Sequence, residues 1–516
     1  MTRFYKPVNV DHIARIPLVG NYINRAPSAI VTTGSAIAGV AVAGVAIAGA
    51  TGNVNATKDQ RFINCVFEQV KNPFTDKEKY YVSKRPGFAG YNNSTKLKNG
   101  HIGNAVHVWS SRGGGTDVIW AFGNTNSEIF LNSTSLGSIT GRVVGITETI
   151  IGTTAYLLFS STDSTGWYYA DGGSLTKITD VDFPGNAALT TVGAFVVLDG
   201  YAFIMDNTGK IWNSDLNSVT SWTSTGYIQA QMYPDAGIGL SRYKNQIVAF
   251  GRDTIEFFYD AGNPAGSPLA PSPQSFIKLG CINQNAFTTY NDNLYWVSNS
   301  DKGMITVYTL DGYTPTPVST PNIEKILVAS TLTTIRVAGG NVLGKSMLII
   351  SNSLTVFVYD TEDKIWGEWE SGNGAKIWDV MSSTTGTTSI LYLVSLIDTQ
   401  GYGYFLNNQN VQYQDRGNSF TMTIQTSKVD LDTINRKFLS KFSIVGDAGA
   451  SSTLSVSWTD DDYTTWTTAR SISLVGPNFY LPNCGNFRRR AFKITNTDAY
   501  AIRLEAMELQ LKGGIH

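Results

Sequence analysis

The most explicit chemical motif in the sequence is Gly339–Ser346, GGNVLGKS, which matches the phosphate-binding pattern G-x-x-x-x-G-K-[ST] in full. That chemistry requires a strand before the loop and a helix after it, because amides at the helix N-terminus hold the phosphates. Here the loop is followed by MLIIS at Met347–Ser351 and by TVFVYD at Thr355–Asp360, which are both typical of strands. The sequence therefore predicts a hairpin turn at this position rather than a nucleotide site.

A second motif, TDDDYTTW at Thr459–Trp466, resembles the Asp-box S/T-x-D-x-G-x-T-W of sialidase-like propellers. In that box the Asp and the Trp hold a turn, and the turn is usually not catalytic. Tyr463 stands where the pattern has glycine, and the motif falls outside the repeats described below. We interpret it as structural.

The concentrated basic run of the chain is Arg488, Arg489 and Arg490, with Lys493 following. Because side chains alternate along a strand, Arg488 and Arg490 are expected on one face and Arg489 on the other. The run could contact phosphates or pair with acidic groups of a neighbouring subunit. We favour the subunit interface, and the DNA channel stays open as the alternative.

Other catalytic or metal-binding patterns are absent from the sequence. It has four histidines and neither a G-x-S-x-G elbow nor an H-E-x-x-H pair. Its three cysteines, Cys65, Cys281 and Cys484, are far apart, which favours buried thiols in a reducing compartment over a disulfide framework. We expect a protein that is not an enzyme and has no catalytic residues, metal or cofactor.

The elements that would position any site form a repeat. A strand rich in aromatic or β-branched residues runs into an Asp or Asn turn about seven times, at spacings of about 40 to 50 residues. Repeats of this length in an all-strand sequence favour an all-β propeller of six to seven blades. The phrases are Glu128–Asn132, Gly166–Asp171, Lys210–Asp215, Thr254–Asp260, Ile305–Asp311, Thr355–Asp360 and Gly401–Asn407.

The composition agrees with strands and turns. Only 15% of the 516 residues are charged and 50 are glycine, and the net charge of −1 gives no basic field for nucleic acid. A duct that passes DNA without holding it would also look neutral. The Pro-rich stretch Asn263–Pro273 is predicted to be a long inserted loop after the fourth phrase.

The ends of the chain differ from the repeat region. We predict an extended N-terminal arm with an Ala/Gly-rich tract at 1–57, the propeller at 58–417, and a C-terminal β-sandwich at 418–516, where six alternating runs indicate short strands.

The Ala/Gly-rich tract repeats every five residues at Gly34, Gly39, Gly44 and Gly49 and alternates Val or Ile with Ala between them. We favour a strand or hairpin that packs against copies of itself. A membrane or signal segment and disorder remain alternatives.

Several phrases together resemble a known family, the tail hub or nozzle proteins of short-tailed bacteriophages, also called packaged-DNA stabilisation proteins. The strongest match is Gly237–Gly262, GIGLSRYKNQIVAFGRDTIEFFYDAG. Lys84–Gly87 (KRPG), Asn322–Leu327 (NIEKIL) and Phe487–Phe492 (FRRRAF) are similar to family phrases in the family's order. The Ala/Gly-rich tract is not part of the resemblance.

The resemblance implies a structural virion protein that forms a homohexameric ring below the portal and its adaptor protein. Such a ring continues the DNA conduit, retains packaged DNA, anchors tail fibres or spikes, and is closed by its own loops or by a needle or plug protein. It would contact double-stranded DNA transiently, without stable membrane insertion, in the virion tail after assembly in the host cytoplasm. The Ala/Gly-rich tract would then form a wall or gate of the lumen.

A function of another class is also open. The possible late signal segment, the Asp-box-like turn and the acceptor patterns for N-glycosylation at Asn55, Asn93 and Asn132 fit a secreted propeller with a sandwich module. That protein would bind or hydrolyse carbohydrate as a monomer.

Overall fold

The structure is a computed structural model. It describes residues 12–19, 60–71, 78–113, 117–230, 232–233, 235–299, 303–371, 390–395, 398–406, 411–447, 451–476 and 479–513. Strands dominate these residues, and the prediction of an all-β propeller is confirmed. The Ala/Gly-rich tract with Gly34, Gly39, Gly44 and Gly49 lies outside the described residues, so its predicted role stays a prediction.

Among the described residues, five strands and one helical turn precede the repeats. They are β1 (His12–Pro17), β2 (Arg61–Ile63), β3 (Cys65–Lys71), β4 (Glu78–Lys84), β5 (Ala89–Gly90) and α1 (Tyr91–Ser94).

Six four-stranded antiparallel blades follow in chain order. The first three are β6 (Gly103–Val108), β7 (Val118–Phe122), β8 (Ser127–Leu131) and β9 (Thr134–Ile139); β10 (Val143–Ile151), β11 (Thr154–Ser161), β12 (Gly166–Ala170) and β13 (Leu175–Lys177); β14 (Thr191–Leu198), β15 (Tyr201–Asp206), β16 (Lys210–Ser214) and β17 (Trp222–Gln229).

The next three blades have the same plan. They are β18 (Gly237–Tyr243), β19 (Gln246–Gly251), β20 (Ile255–Asp260) and β21 (Leu269–Ile277); β22 (Phe287–Tyr290), β23 (Asn293–Asn299), β24 (Ile305–Asp311) and β25 (Thr314–Pro317); β26 (Arg336–Val342), β27 (Lys345–Ser351), β28 (Val356–Asp360) and β29 (Ile365–Trp369). Helix α2 (Pro321–Ala329) and the 3-10 turn Leu332–Thr334 connect the fifth blade to the sixth.

The ring is completed by a closing sheet of β30 (Leu391–Val394), β31 (Gly403–Leu406) and the N-terminal strand β5. The first strand of each blade contacts that of the next, and β30 contacts both β26 and β6, so the circuit is closed. Six of the seven recurring phrases coincide with the third strand of a blade, and the seventh coincides with β31 in the middle of the closing sheet.

The remaining strands form a sandwich. They are β32 (Gln414–Asp415), β33 (Asn418–Ser419), β34 (Met422–Gln425), β35 (Lys437–Gly446), β36 (Thr453–Thr459), β37 (Arg470–Ser473), β38 (Tyr480–Pro482), β39 (Asn486–Phe487), β40 (Ala491–Asn496) and β41 (Arg503–Gly513). β32 and β33 pair with each other as a small hairpin before it.

One sandwich sheet, called here the seven-stranded sheet, has the order β3-β4-β41-β35-β38, with β1 on β41 and β39 on β35. The other, called here the shared sheet, has the order β26-β27-β28-β29-β2-β34-β40-β36-β37, so the sixth blade continues into the sandwich. A single apolar core that includes Phe67, Leu439 and Phe492 lies between the two sandwich sheets.

The topology differs from the predicted boundary at residue 58. Strand β1 of the predicted arm and strands β2–β4 of the predicted propeller belong to the sandwich sheets. The sandwich is therefore built from both ends of the chain, with the propeller inserted between them. Local strand patterns do not encode which distant strand becomes a partner, and this is why the sequence placed these strands elsewhere.

The prediction of a long loop at Asn263–Pro273 was wrong in its second half. Residues from Leu269 onward form β21, the outermost strand of the fourth blade. An edge strand accepts proline because its outward amides need no partner. The loop itself is the short connection from β20 to β21.

The blades approach one another closely at glycines of their first strands. A Cβ built on Gly145 of β10 would lie 2.2 Å from the Cβ of Ala194 of β14. Gly193, with φ of +74°, faces Gly239 of the fourth blade in the same way. These two contacts leave no room for a side chain at Gly145 or Gly193, so glycine is required where the blades meet.

The seam between the first and second blades also carries a charged contact. Glu148 of β10 accepts hydrogen bonds from the backbone amides of Ser110 (2.9 Å) and Ser111 (3.1 Å), and its carboxylate lies 3.7 Å from the His107 ring. Burial opposes ionisation of Glu148, but His107 and these donors outweigh burial and lower its pKa to about 2. The ionised form therefore stabilises the seam.

We expect Glu148→Gln to lower the free energy of unfolding by about 1–3 kcal/mol at pH 7. Since the folded pKa lies below the unfolded one, this contribution is present above pH 4.5 and is lost as the pH falls toward 2. Guanidinium unfolding at several pH values measures it. The more exposed Glu362, 3.8 Å from Lys345, serves as the control through Glu362→Gln. Equal losses in the two variants at pH 7 would contradict the assignment.

Candidate functional site: the junction between propeller and sandwich

The phosphate-loop pattern is a hairpin, as predicted. Val342 pairs with Lys345, and the two turn residues Leu343 and Gly344 have φ of +51° and +80°. The Lys345 ammonium donates to Asp363 at 2.6 Å and lies within 4 Å of two further carboxylates. A lysine held by three carboxylates does not present a phosphate site.

The Asp-box-like segment is a turn between β36 and β37 in the sandwich. Asp461 accepts hydrogen bonds from the Thr465 amide (2.9 Å) and the Thr459 hydroxyl (2.7 Å), and donors from these two residues lower the pKa of Asp461 to about 2. Tyr463 adopts φ of +64°, so it occupies a backbone position that usually needs glycine. The segment closes a turn, in agreement with the structural interpretation.

The basic run does not alternate as a regular strand would. Arg488 and Arg489 form an exposed bend after β39, whereas Arg490 is 2% exposed. Arg490 donates two hydrogen bonds to Asp460, at 2.7 and 2.8 Å, and its guanidinium stacks on Phe487. The expected pairing of Arg488 and Arg490 on one face is therefore corrected: Arg490 is held inside the subunit.

Arg488 and Arg489 instead belong to a mixed surface patch on the sandwich. Strand β35 brings the half-exposed Phe438 beside β39 and opposite Lys512 of β41. Ile434 and Arg436, both exposed, precede this strand. We call this apolar centre with surrounding cations the basic patch; its members are Ile434, Arg436, Phe438, Arg488, Arg489 and Lys512.

The most extensively bonded group at the junction between the two domains is Arg85, in the KRPG phrase after β4. Its side chain is fully buried and forms a bidentate ion pair with the buried Asp415, at 3.0 and 2.7 Å. It also donates to the carbonyls of Pro86 (2.8 Å) and Glu370 (3.0 Å) and to the Asn64 side chain (2.8 Å). One guanidinium therefore connects four segments of the chain.

Aromatic rings and backbone contacts surround this guanidinium. Phe420 lies 3.9 Å from it, and Trp369 and Phe88 lie within 6 Å. Asp415 accepts a further hydrogen bond from the Phe88 amide, at 2.9 Å. A Cβ on Gly87 would lie 2.1 Å from the carbonyl oxygen of Gln414, so only glycine allows this approach.

Strand pairing crosses the junction as well. Ile63 of β2 pairs in parallel with Glu368 of β29, the last strand of the sixth blade. Arg61 forms a bidentate ion pair with the same Glu368, at 2.8 and 2.6 Å. Propeller and sandwich are therefore joined through a continuous sheet and a buried cation, and these contacts make the junction rigid.

The sequence singled out KRPG without giving its residues a role, and Asp415 was not among the predicted site residues. Arg85 lies between apolar strand sequences, which indicates burial. Its ion-pair partner Asp415, however, is 330 residues away in the sequence. The Gly237–Gly262 and Asn322–Leu327 phrases also have structural roles. In the first phrase, the buried Glu256 carboxylate accepts a hydrogen bond from the Met232 amide at 3.0 Å. In the second, Ile323, Ile326 and Leu327 form the buried side of α2.

A side-chain contact connects the third blade to the segment that enters the fifth. Gln284, just before the fifth blade, accepts a hydrogen bond at 2.9 Å from the backbone amide of Gly193 in the third blade. This one side chain thus links the two blades that flank the fourth.

The next two statements hold for the described ranges given above. In these ranges, His, Cys, Asp and Glu side chains do not gather in groups of three that could hold a metal ion. Within the same part of the chain, none of the helices has the length and apolar content to cross a membrane.

The structure resembles several solved β-rich proteins at low identity. These include Raptor from Chaetomium thermophilum (15% identity, TM-score 0.40, 62% of this chain and 29% of that one) and the extracellular domain of a hybrid two-component system from B. thetaiotaomicron (11%, 0.44, 85% and 61%). PorZ from Porphyromonas gingivalis is a third (9%, 0.38, 60% and 37%). None of these similarities bears on function.

Two sequence comparisons are more informative. The tail hub protein gp10 of Salmonella phage P22 is 29% identical over 167 residues, which cover 31% of this chain and 35% of that protein. The matched region thus spans about a third of the length of that relative. The family described as bacteriophage P22 Gp10, β-propeller, matches residues 128–388, from the third strand of the first blade to beyond the sixth. Because this match spans half of the chain, the protein belongs to the family of the bacteriophage P22 Gp10 β-propeller.

Proposed function

We propose that the protein is a structural subunit of the tail hub, or nozzle, of a short-tailed bacteriophage. The observation that carries the proposal is the family match through the blades, together with a curated tail hub relative. The rigid junction supports it, because a ring that retains pressurised DNA must transmit force from one domain to the other without hinging. The function would be mechanical rather than enzymatic.

Six copies would surround the DNA conduit. We place this conduit between the subunits rather than inside each propeller. The near-neutral net charge suits a wall that lets DNA slide. Above the ring we place the portal and its adaptor, and around or below it the fibres or spikes and a needle or plug protein, with assembly in the host cytoplasm.

Within this ring we assign the basic patch to the contact between neighbouring subunits. The alternative is that the patch faces the DNA channel. An exposed aromatic ring surrounded by cations suits a protein surface that offers carboxylates and an apolar pocket. We also retain the proposal made from the sequence that the Ala/Gly-rich tract at Gly34, Gly39, Gly44 and Gly49 forms a wall or gate of the lumen.

Negative-stain microscopy of the purified full chain and of virion tails that contain it is expected to show a sixfold ring with a central hole. The double variant Arg488→Glu/Arg489→Glu should weaken the ring, because it reverses charge at the proposed contact. Lys325→Glu/Lys364→Glu, which changes two exposed lysines of the propeller by the same charge, is the matched control. Isolated single propellers in both wild-type samples would contradict the proposal.

A further inference from the structure

A buried lysine, a buried asparagine and a partly buried aspartate meet where the two sheets of the sandwich come together. Lys84 ends β4 of the seven-stranded sheet, and Asn496 ends β40 of the shared sheet. The two residues are 1% and 3% exposed, and the Lys84 Nζ lies 3.5 Å from the Asn496 Oδ1.

The orientation of the asparagine amide is fixed by its nitrogen. Nδ2 donates to the Ser452 hydroxyl (3.1 Å), the Thr453 carbonyl (3.0 Å) and the Asp498 carboxylate (3.0 Å). With three acceptors on the nitrogen, the carbonyl side of the amide must face Lys84. The amide therefore presents its carbonyl oxygen to the amine of Lys84 and its nitrogen to the carboxylate of Asp498.

The lysine is held in place on its other sides. Its Nζ donates to the Asp498 carbonyl at 2.6 Å and lies 4.6 Å from the centre of the buried Phe420 ring. Burial and the adjacent charge of Arg85 lower the pKa of Lys84 to about 8. A substantial minority of the amine is then neutral at physiological pH, and a neutral amine is the nucleophilic form.

We propose that Lys84 and Asn496 form an intramolecular isopeptide bond, with Asp498 as the group that carries the proton. The amine already contacts the Oδ1 atom bonded to the carbon that it would attack, at 3.5 Å. The Lys84 nitrogen forms a bond to Cγ of Asn496, and the carbonyl electron pair moves to Oδ1. As the carbonyl re-forms, the Cγ–Nδ2 bond breaks. The proton released by the lysine nitrogen passes through Asp498 to Nδ2, which leaves as ammonia.

The reaction balances without an oxidant or a cofactor. An amine and a primary amide become a secondary amide and ammonia, so the chain loses about 17 Da. The bond would connect the two sandwich sheets and close a loop of 412 residues that contains the whole propeller. The proposal concerns this chain's own chemistry and does not depend on the tail hub function.

Intact-mass spectrometry of the purified full chain tests it. The expected mass is about 17 Da below that of the sequence, with a branched peptide that joins Lys84 to Asn496. Lys84→Arg and Asp498→Asn, which keep the charge of the first residue and the acceptor of the second, should both show the full mass. Circular dichroism is expected to show the wild-type fold in both variants.

Cyclisation of an asparagine before glycine, as at Asn99–Gly100, also releases ammonia, so the branched peptide and the variants decide the source. A wild-type chain at the full sequence mass overturns the proposal. So does a loss that persists in Lys84→Arg. A cross-link that still forms in Asp498→Asn overturns the role given to Asp498.

Discussion

Arg85→Ala is expected to lower the free energy of unfolding by about 3–5 kcal/mol, because removing one member of a buried ion pair leaves the other charge uncompensated. Asp415, 2% exposed at its side chain, would keep only the hydrogen bond from the Phe88 amide among those described above. The carbonyls of Pro86 and Glu370 would also lose their donor. Guanidinium unfolding of the full chain measures the change.

Limited proteolysis gives a second readout for this variant. If Arg85 holds the two domains together, cleavage should become faster in the segments that join propeller and sandwich, near 85–90 and 406–420. Arg15→Ala is the matched control, since the Arg15–Glu505 pair is exposed and should contribute less than about 1 kcal/mol. Similar losses in the two variants would show that the junction does not depend on the buried guanidinium.

Gly145→Ala is expected to destabilise the propeller by about 1–3 kcal/mol, the usual range for overpacking a core. The added Cβ would lie 2.2 Å from the Cβ of Ala194, and the first strands of the second and third blades would have to separate. The backbone of Gly145 does not itself require glycine, since its φ is not positive. The effect therefore reports on the space between blades.

Moving the methyl group across the seam tests this explanation. Ala194→Gly alone should cost about 0.5–1 kcal/mol from added chain flexibility. In the double variant Gly145→Ala/Ala194→Gly, the new Cβ would meet the Cα of residue 194 at 3.0 Å, so most of the Gly145→Ala loss should be recovered. Thermal or guanidinium unfolding of all four proteins gives the coupling energy. Additive losses would rule out a steric origin.

The repeated phrases predicted the propeller because each of them corresponds to one strand of a sheet, with local alternation and a local turn. The hairpin at Leu343–Gly344 was predictable for the same reason, since a helix signal was missing after Lys345. These are short-range properties, and they survive in the fold almost unchanged.

The junction depends on long-range pairing and could not be predicted. Nothing in the local pattern around Arg85 identifies Asp415 as its partner, and β2–β4 have the same alternation whether they join a blade or a sandwich. Arg490 was misplaced because a bend at Arg488–Arg489 interrupts the period of two. The positions of Lys84 and Asn496 relative to each other depend on both sandwich sheets.

The origin of the sandwich from both chain ends also affects how the protein is made. Strands β2–β5 leave the ribosome early, but their partners β31, β34 and β41 are more than 300 residues further along. At ordinary rates of synthesis they wait on the order of tens of seconds with unpaired edges. The ring cannot close before β31 has been made, and the sandwich cannot close before β41 has been made, so these unpaired edges are exposed to aggregation during synthesis. The sandwich of a nascent chain thus stays incomplete until β41 has been made.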